Sequence, residues 1–134
     1  MASIKHILII EDDEHMLNQL VSMADGLGLR VDTATNIVDA VQRLERGAYD
    51  LVLSDNNFPR YRDERHPTAN QGFEVLRWMR SEEKYEKVPF ILHTSDDSPD
   101  TPAKVKEHGG IFHQKHAAGL KEALQQALLA EHAQ

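Results

Sequence analysis

The sequence contains no cysteine, which excludes disulfide bonds, thiolate catalysis and cysteine-ligated metal sites. Positive charge is also scarce, because 15 lysines and arginines stand against 22 aspartates and glutamates, for a formal net charge of -7. A protein that binds nucleic-acid phosphates needs a basic face. We therefore expect no direct contact with nucleic acid.

The chain also lacks an apolar run long enough to cross a membrane, and its amino terminus has no signal-peptide pattern. These absences predict a cytoplasmic protein without membrane contact. Its 134 residues contain no internal repeat, low-complexity tract or linker. A chain of this length suits a single hydrophobic core, and we expect residues 1–134 to form one domain. Any output domain is expected to be absent from this sequence.

Short apolar runs alternate with segments of helical periodicity along the whole chain. The apolar runs predict strands at residues 4–10, 29–33, 51–54, 87–94 and 111–114. The periodic segments predict helices at residues 16–27, 37–46, 72–81, 99–108 and 117–131. Such alternation is typical of an α/β fold, a doubly wound five-stranded parallel sheet with helices on both faces. The common strand order for such a sheet is 2-1-3-4-5.

Polar side chains end or follow four of the five predicted strands: Glu11 and Asp12, Asp55, Thr94, and Lys115. The carboxyl ends of parallel strands meet at one edge of the sheet, where α/β proteins bind their ligands. In the order 2-1-3-4-5 the first and third strands are neighbours. The acidic pair is therefore predicted to lie beside Asp55.

Three crowded carboxylates repel one another unless one takes up a proton or a cation binds between them. Mg²⁺ suits such a site, since it needs only one or two carboxylates and keeps waters and phosphate oxygens as its other ligands. An aspartate can also attack phosphorus and form an aspartyl phosphate. Lys115 offers a positive charge to a phosphoryl oxygen, and Thr94 offers a hydroxyl hydrogen bond.

Four segments carry a resemblance to a known family: residues 7–13 (ILIIEDD), 50–55 (DLVLSD) with Pro59 after them, 89–94 (PFILHT), and 109–115 (GGIFHQK). In this order and at this spacing, the chain resembles the receiver domain of two-component response regulators over nearly its whole length. The resemblance implies the flavodoxin-like fold that the periodicity also predicts.

The resemblance implies a role for each site residue. Asp55 matches the phosphoacceptor, and the metal ligands match Glu11, Asp12, Asp55 and the main-chain carbonyl of Asn57. Thr94 and Lys115 match the residues that contact the phosphoryl group. Phe112 matches the aromatic switch that turns inward as the threonine moves. Asn57 and Asp96 match the two positions at which the family tunes the lifetime of the phosphoryl group.

The function that this resemblance implies is a signalling switch and not an enzyme, apart from catalysis of its own phosphorylation and dephosphorylation. The phosphoryl donor would be a phosphohistidine of a sensor kinase or of a histidine phosphotransfer protein, and Mg²⁺ would be the cofactor. Phosphorylation would change binding to a downstream protein effector.

The chain departs from the family at three places. Lys115 is followed by His116, where the family usually has a proline after a cis bond; a cis bond to a non-proline residue costs about 2.5–4 kcal/mol. The loop at residues 60–71 is roughly ten residues longer than in the family, and loops of that length are functional or disordered. The helix before Gly109 is poor in apolar residues, which puts the usual dimer contact in question.

Two other functions are consistent with the sequence. The first is a pseudo-receiver, a binding module that acts without phosphorylation, which the missing proline and the long loop favour. The second is an aspartyl-nucleophile phosphohydrolase, which the Asn57 side chain disfavours because those enzymes carry an aspartate two residues after the nucleophile. The spacing of His93, His108, His113 and His116 fits no standard transition-metal motif.

Overall fold

The computed structural model describes residues 4–96 and 98–132. Its strands are β1 (His6–Ile10), β2 (Arg30–Ala34), β3 (Leu51–Ser54), β4 (Phe90–Thr94) and β5 (Ile111–Gln114). Its helices are α1 (Glu14–Gly26), α2 (Ile37–Arg46), α3 (Gln71–Ser81), α4 (Thr101–Glu107) and α5 (Leu120–His132). Within these described residues, no helix is long and apolar enough to cross a membrane.

The strands form one parallel sheet in the order β2-β1-β3-β4-β5, which confirms the predicted doubly wound, flavodoxin-like fold. In the register, Ile10 pairs with Ser54 of β3, and Ser54 pairs with Leu92 of β4. The carboxyl ends of β1 and β3 are therefore level, and β4 extends two residues beyond them. Residues that follow these strands lie together at one edge of the sheet.

Each inner strand alternates its side chains between two apolar clusters. Leu8, Val52 and Leu92 belong to the cluster under α2, α3 and α4. Residues of opposite parity, such as Ile9 and Leu53, belong to the cluster under α1 and α5. Because both faces are covered, β3 and β4 are buried along their whole length. This double burial explains why the inner strands appear in the sequence as nearly continuous apolar runs.

Capping residues explain where the helices begin. The Asp13 side chain accepts hydrogen bonds from the amides of His15 and Met16, so α1 begins two residues before its predicted start. Asn36 caps α2 as its sequence position indicates. Gly119 has a φ of +97°, a left-handed conformation that delays the start of α5 until Leu120.

The long loop between β3 and α3 is folded against α2. Phe58 and Thr68 exchange two backbone hydrogen bonds, which close the base of the loop. The carbonyls of Pro59 and Arg60 accept hydrogen bonds from Ile37 and Val38, the first two amides of α2. The segment at 60–69 is thus a loop, as predicted, and it supplies acceptors that an α-helix cannot provide for its own first turn.

Candidate functional site

The carboxylates of Glu11, Asp12 and Asp55 come together at the carboxyl edge of the sheet. One oxygen from each lies within 4.8 Å of the others. The backbone creates this proximity, because the amide of Asp55 donates to the carbonyl of Ile10 across the β1–β3 pair. Glu11 is 1% exposed and Asp55 is 9% exposed. The predicted group of three acids therefore exists, and it is largely buried.

Lys115 reaches this acidic group from the end of β5. Its Nζ lies 2.9 Å from Oε1 of Glu11 and 3.4 Å from Oδ2 of Asp55. A main-chain hydrogen bond fixes the position of this residue, since the amide of Lys115 donates to the carbonyl of Thr94 at 2.8 Å. Every peptide bond in the described residues is trans, including the bond from Lys115 to His116. The ammonium thus reaches the carboxylates without the family's cis-proline.

We call Glu11, Asp12, Asp55 and Lys115 the acidic edge. Burial, followed by the charge of Asp55, raises the pKa of Glu11 to about 7. Burial also raises the pKa of Asp12. Burial disfavours the charged form of Lys115, but its contacts with Glu11 and Asp55 outweigh that effect and raise its pKa. One ammonium therefore does not fully compensate the carboxylates, and the site favours additional positive charge.

The residues present fit a divalent cation. Oε1 of Glu11 is fully buried, and the Lys115 ammonium 2.9 Å away is its partner among the described residues. Three carboxylate oxygens within 4.8 Å offer the hard ligands that Mg²⁺ prefers. Within residues 4–96 and 98–132, this is the only group of three or more histidine, aspartate or glutamate side chains compact enough to hold a metal ion.

Thr94 and Phe112 lie on neighbouring strands next to the acidic edge. Thr94 is fully buried, and its hydroxyl oxygen accepts a hydrogen bond from the amide of Asp96 at 3.1 Å. Asp96 in turn accepts hydrogen bonds from Ser98 and Thr101 at the start of α4. The Phe112 ring is half-buried and packs against the cluster under α2, α3 and α4. The threonine hydroxyl is therefore connected to α4 and not bonded to Asp55.

Two residues that support Asp55 were not identified from the sequence. The amide of Asn56 donates to Oδ1 of Asp55 at 2.7 Å, and its buried side chain accepts from the amide of Phe73. Gly72 lies so close that a Cβ there would be 2.1 Å from the carbonyl oxygen of Asp55. Asn56 and Gly72 thus join the end of β3 directly to the start of α3. The only signal in the sequence was the choice of glycine at the beginning of a helix.

Asn57 lies on the exposed side of the same turn. Its side-chain oxygen accepts a hydrogen bond from the amide of Asn70, a residue in the left-handed conformation with a φ of 63°. This bond fixes the turn between Asp55 and the long loop. The side chain of Asn57 is therefore used to hold the turn, which leaves the main-chain carbonyl as its predicted metal ligand.

The histidines near the site form no compact metal group within the described residues. His93 and His113 are paired across β4 and β5, with ring centroids 5.8 Å apart. Burial, assisted by the charge of Lys115, lowers the pKa of His93 to about 4. His93 is therefore a neutral core residue at neutral pH.

Two curated proteins illustrate the similarity of this chain to known proteins. The chain is 28% identical over 106 residues to the CAI-1 autoinducer sensor kinase/phosphatase CqsS of Vibrio cholerae, and the match covers 78% of the chain and 14% of that protein. It is 33% identical over 96 residues to YkoG, an uncharacterized transcriptional regulatory protein of Bacillus subtilis, with 71% of the chain and 37% of that protein covered. The chain thus spans well under half the length of either relative.

Solved structures share the fold of this chain. The receiver domain of an HD domain-containing protein from Pseudomonas fluorescens Pf-5 superposes with a TM-score of 0.81 at 23% identity, covering 98% of this chain and all of that one. The chemotaxis response regulator CheY4 of Vibrio cholerae gives 0.76 at 21% identity, covering 93% and 99%. The receiver domain of a sensor histidine kinase from Pseudomonas aeruginosa PAO1, determined with magnesium coordinated in its active-site cleft, gives 0.76 at 23%, covering 98% and 100%.

The family model for the response regulator receiver domain matches residues 7–126. That range contains β1 from its second residue, the other four strands and the four residues of the acidic edge. The chain belongs to the response regulator receiver domain family of two-component signalling proteins.

Proposed function

We propose that this domain is a phosphorylation-dependent signalling switch in which Asp55 accepts a phosphoryl group. The observation that carries the proposal is the position of Lys115, whose ammonium contacts both Glu11 and Asp55. A lysine so placed can neutralise charge on a phosphoryl oxygen during transfer and afterwards. Phosphoryl transfer is catalysed mostly by this kind of positioning and electrostatic stabilisation.

In the proposed step, a carboxylate oxygen of Asp55 attacks the phosphorus of a phosphohistidine. The new O–P bond forms as the P–N bond breaks, and the imidazole nitrogen of the donor leaves with the electron pair and takes up a proton. The Asn56 amide, 2.7 Å from Oδ1, fixes the orientation of the Asp55 carboxylate. The donor would belong to a histidine kinase or a histidine phosphotransfer protein. Support comes from the relatives, among which are a sensor kinase and the receiver domain of another.

The proposed cofactor is Mg²⁺, held by Glu11, Asp12, Asp55 and the main-chain carbonyl of Asn57. The ion would neutralise the excess negative charge at this edge and bring phosphate oxygens toward Asp55. The compact carboxylates and the raised pKa of Glu11 support this assignment. The magnesium in the Pseudomonas aeruginosa receiver domain is consistent with it.

The proposed response to phosphorylation begins at Thr94. To reach the phosphoryl group, its hydroxyl would move toward Asp55 and away from the Asp96 amide that now donates to it, and Asp96 also contacts the start of α4. Phe112 would then move further into the core. Such a shift changes the population of two surface states, and a downstream protein effector would bind one of them. By resemblance, Asn57 and Asp96 would set the lifetime of the phosphoryl group.

The pseudo-receiver is the second candidate, and the replacement of proline by His116 is the observation that favours it. The geometry of Lys115 argues for the phosphorylated switch, since the trans bond still leaves its ammonium 3.4 Å from Asp55. The two functions differ in one measurable property. The switch requires a phosphoryl group on Asp55, and the pseudo-receiver does not.

Mg²⁺ binding tests the metal half of the proposal. Amide NMR shifts of the purified protein, followed during titration with MgCl₂, should change first around Glu11 and Asp55. Asp12→Asn should weaken the apparent affinity by about tenfold, the effect expected for the loss of a charged ligand. Asp13→Ser is the matched control, because serine keeps the α1 cap and position 13 lies outside the acidic edge. Equal weakening by both substitutions would contradict the ligand assignment.

Lys115→Ala tests the transmission step. We expect the substitution to weaken the conformational response more than it weakens phosphorylation of Asp55. The changes in the NMR shifts of Thr94 and Phe112 on phosphorylation should therefore be smaller than in the parent. Lys121→Ala, on the exposed side of α5, should leave the response unchanged. An unchanged response in Lys115→Ala would show that this lysine does not bind the phosphoryl group.

A further inference from the structure

A concave groove of about 470 Å³ lies between the edge strand β2 and helix α2. Four of the protein's arginines line it, and they come from three separate segments of the chain: Arg30 of β2, Arg43 and Arg46 of α2, and Arg62 of the long loop. We call these four residues and the space between them the arginine groove. In a chain with a net charge of -7, this concentration of guanidinium groups needs a physical reason.

One face of α2 contributes part of the charge in this groove. On α2, Asp39, Gln42, Arg43 and Arg46 have the spacing i, i+3, i+4 and i+7, which places them on one face of the helix. Arg43 and Arg46 are one turn apart, with an axial rise of about 4.5 Å between them. Arg30 and Arg62 add two guanidinium groups from other segments of the chain. Four guanidinium groups in one groove fit a ligand with several negative groups.

Both carboxylates in the groove already have hydrogen-bond partners. Asp32 accepts hydrogen bonds from the Tyr49 hydroxyl at 2.7 Å and lies 3.0 Å from the His6 ring. Asp39 accepts from the Arg62 guanidinium at 3.0 Å and from the Asn36 side chain at 3.0 Å. By contrast, none of Arg30, Arg43 and Arg46 is ion-paired within the described part of the chain. The unsatisfied charge of the groove is positive.

The groove also borders an open sheet edge. β2 is the outermost strand, and β1 is the strand that pairs with it among the described residues. An edge strand presents backbone amides and carbonyls to which an extended peptide can add. Charged side chains on such a strand ordinarily deter association. Here they line a concave space instead of projecting from a flat edge, which is the arrangement of a binding site.

We propose that the arginine groove binds an acidic, extended peptide segment of a partner protein, which adds to β2 as a further strand. Its backbone would pair with the free edge of β2. Carboxylates at alternate positions recur about every 6.6–6.8 Å along an extended chain and point to one face, where they meet Arg43 and Arg46. Guanidinium groups bind carboxylates through two parallel hydrogen bonds, which explains the use of arginine instead of lysine. The proposal does not depend on phosphorylation of Asp55.

The test uses a fluorescein-labelled peptide of alternating glutamate and threonine, followed by fluorescence anisotropy at low and physiological salt. We expect saturable binding that weakens by about tenfold or more in the double variant Arg43→Gln and Arg46→Gln. Arg77→Gln is the matched control, because Arg77 is an exposed arginine on α3, away from the groove, paired with Glu74. A peptide of alternating lysine and threonine should not bind.

Two further arms distinguish the kind of contact. Methylation of alternate backbone nitrogens of the peptide should abolish strand pairing and weaken binding by about tenfold, while the charge stays the same. Tripolyphosphate should compete poorly. Absence of peptide binding at about 1 mM, equal binding to the double variant, or no effect of methylation would each overturn the proposal. Tighter, arginine-dependent binding of tripolyphosphate would overturn it in favour of a small phosphorylated ligand.

Discussion

The acidic edge and the arginine groove are built in different ways. At the acidic edge, backbone pairing sets the geometry, because Glu11, Asp55 and Lys115 each come directly after a strand of one sheet. In the arginine groove, side chains from a strand, a helix and a loop line a surface that no hydrogen-bond ladder fixes. The first site is buried and short of positive charge, whereas the second is exposed and rich in it.

This difference indicates how each site responds to change. A buried cluster of like charges is sensitive to packing, protonation and metal, since water cannot screen its charges. An exposed row of arginines is tolerant of substitution and sensitive to salt. We therefore expect substitutions at the acidic edge to alter folding strongly, and those in the groove to alter binding with little effect on folding.

The largest expected effect is that of Gly72→Ala. The new Cβ would lie 2.1 Å from the carbonyl oxygen of Asp55 and 2.8 Å from Leu92, and the main chain cannot move aside without displacing β3. We expect a loss of about 3 kcal/mol in the free energy of unfolding, measured by urea titration. Gly26→Ala is the control, since nothing lies within 4 Å of its added Cβ. Equal stability of the two variants would refute the close contact between α3 and Asp55.

A second effect concerns pH and metal at the acidic edge. With a pKa of about 7, folded Glu11 binds a proton that the unfolded chain releases near pH 4.5, so the metal-free protein should lose stability as the pH rises from 4.5 to 7. The size of this loss is on the order of 3 kcal/mol at most. The Glu11→Gln variant should not show this loss of stability. Its free energy of unfolding should therefore increase relative to that of the parent as the pH rises.

Urea titrations of parent and Glu11→Gln between pH 4.5 and 7.5 measure this difference directly. The free energy of unfolding of the parent is subtracted from that of the variant, because His93 affects both proteins in the opposite direction. Its pKa of about 4 favours the neutral form in the folded protein, so stability is lost as the pH falls below about 6.5. Adding Mg²⁺ should reverse the pH trend of the parent and change that of the variant less, because the variant lacks one of the three carboxylate ligands. Parallel curves for the two proteins would contradict the raised pKa of Glu11.

A smaller effect is expected in the wall of the arginine groove from Tyr49→Phe. The hydroxyl donates to Asp32 at 2.7 Å and is the main reason that the pKa of Asp32 is lowered. Its removal should cost about 1–2 kcal/mol at neutral pH, and the cost should vanish as the pH falls and Asp32 becomes protonated. The pKa of Asp32, followed by carboxyl ¹³C NMR, should rise. An unchanged pKa would show that the bond is not formed in solution.

The smallest effect is expected from Arg62→Ala. The side chain of Arg62 is 79% exposed, so its pair with Asp39 is screened by water and the thermal midpoint should not change measurably. The pKa of Asp39 should nevertheless rise toward its ordinary value, because the Arg62 hydrogen bond is the main cause of its lowering. NMR titration of Asp39 measures this, with Arg77→Ala as the control. A large loss of stability would mean that the loop contributes to the core.

The fold and the acidic edge could be predicted from sequence because backbone pairing determines both. Once the inner strands are recognised as doubly buried apolar runs, Glu11 and Asp55 must meet at one edge. The arginine groove could not be predicted, since its parts come from three segments and depend on how a long loop folds against α2. The contact of Gly72 with Asp55 depends on a helix position that periodicity does not specify.

The measurement that tests the central proposal most directly is intact mass after incubation with Mg²⁺ and acetyl phosphate, alongside Asp55→Asn. We predict one phosphoryl adduct on the parent, none without Mg²⁺, and none on the variant. Asn at position 55 keeps the size of the side chain, so circular dichroism should confirm that the variant is folded. A folded parent that gains no adduct, or an adduct that persists in Asp55→Asn, would contradict the assignment of Asp55 as the phosphoacceptor and favour the pseudo-receiver or a different site.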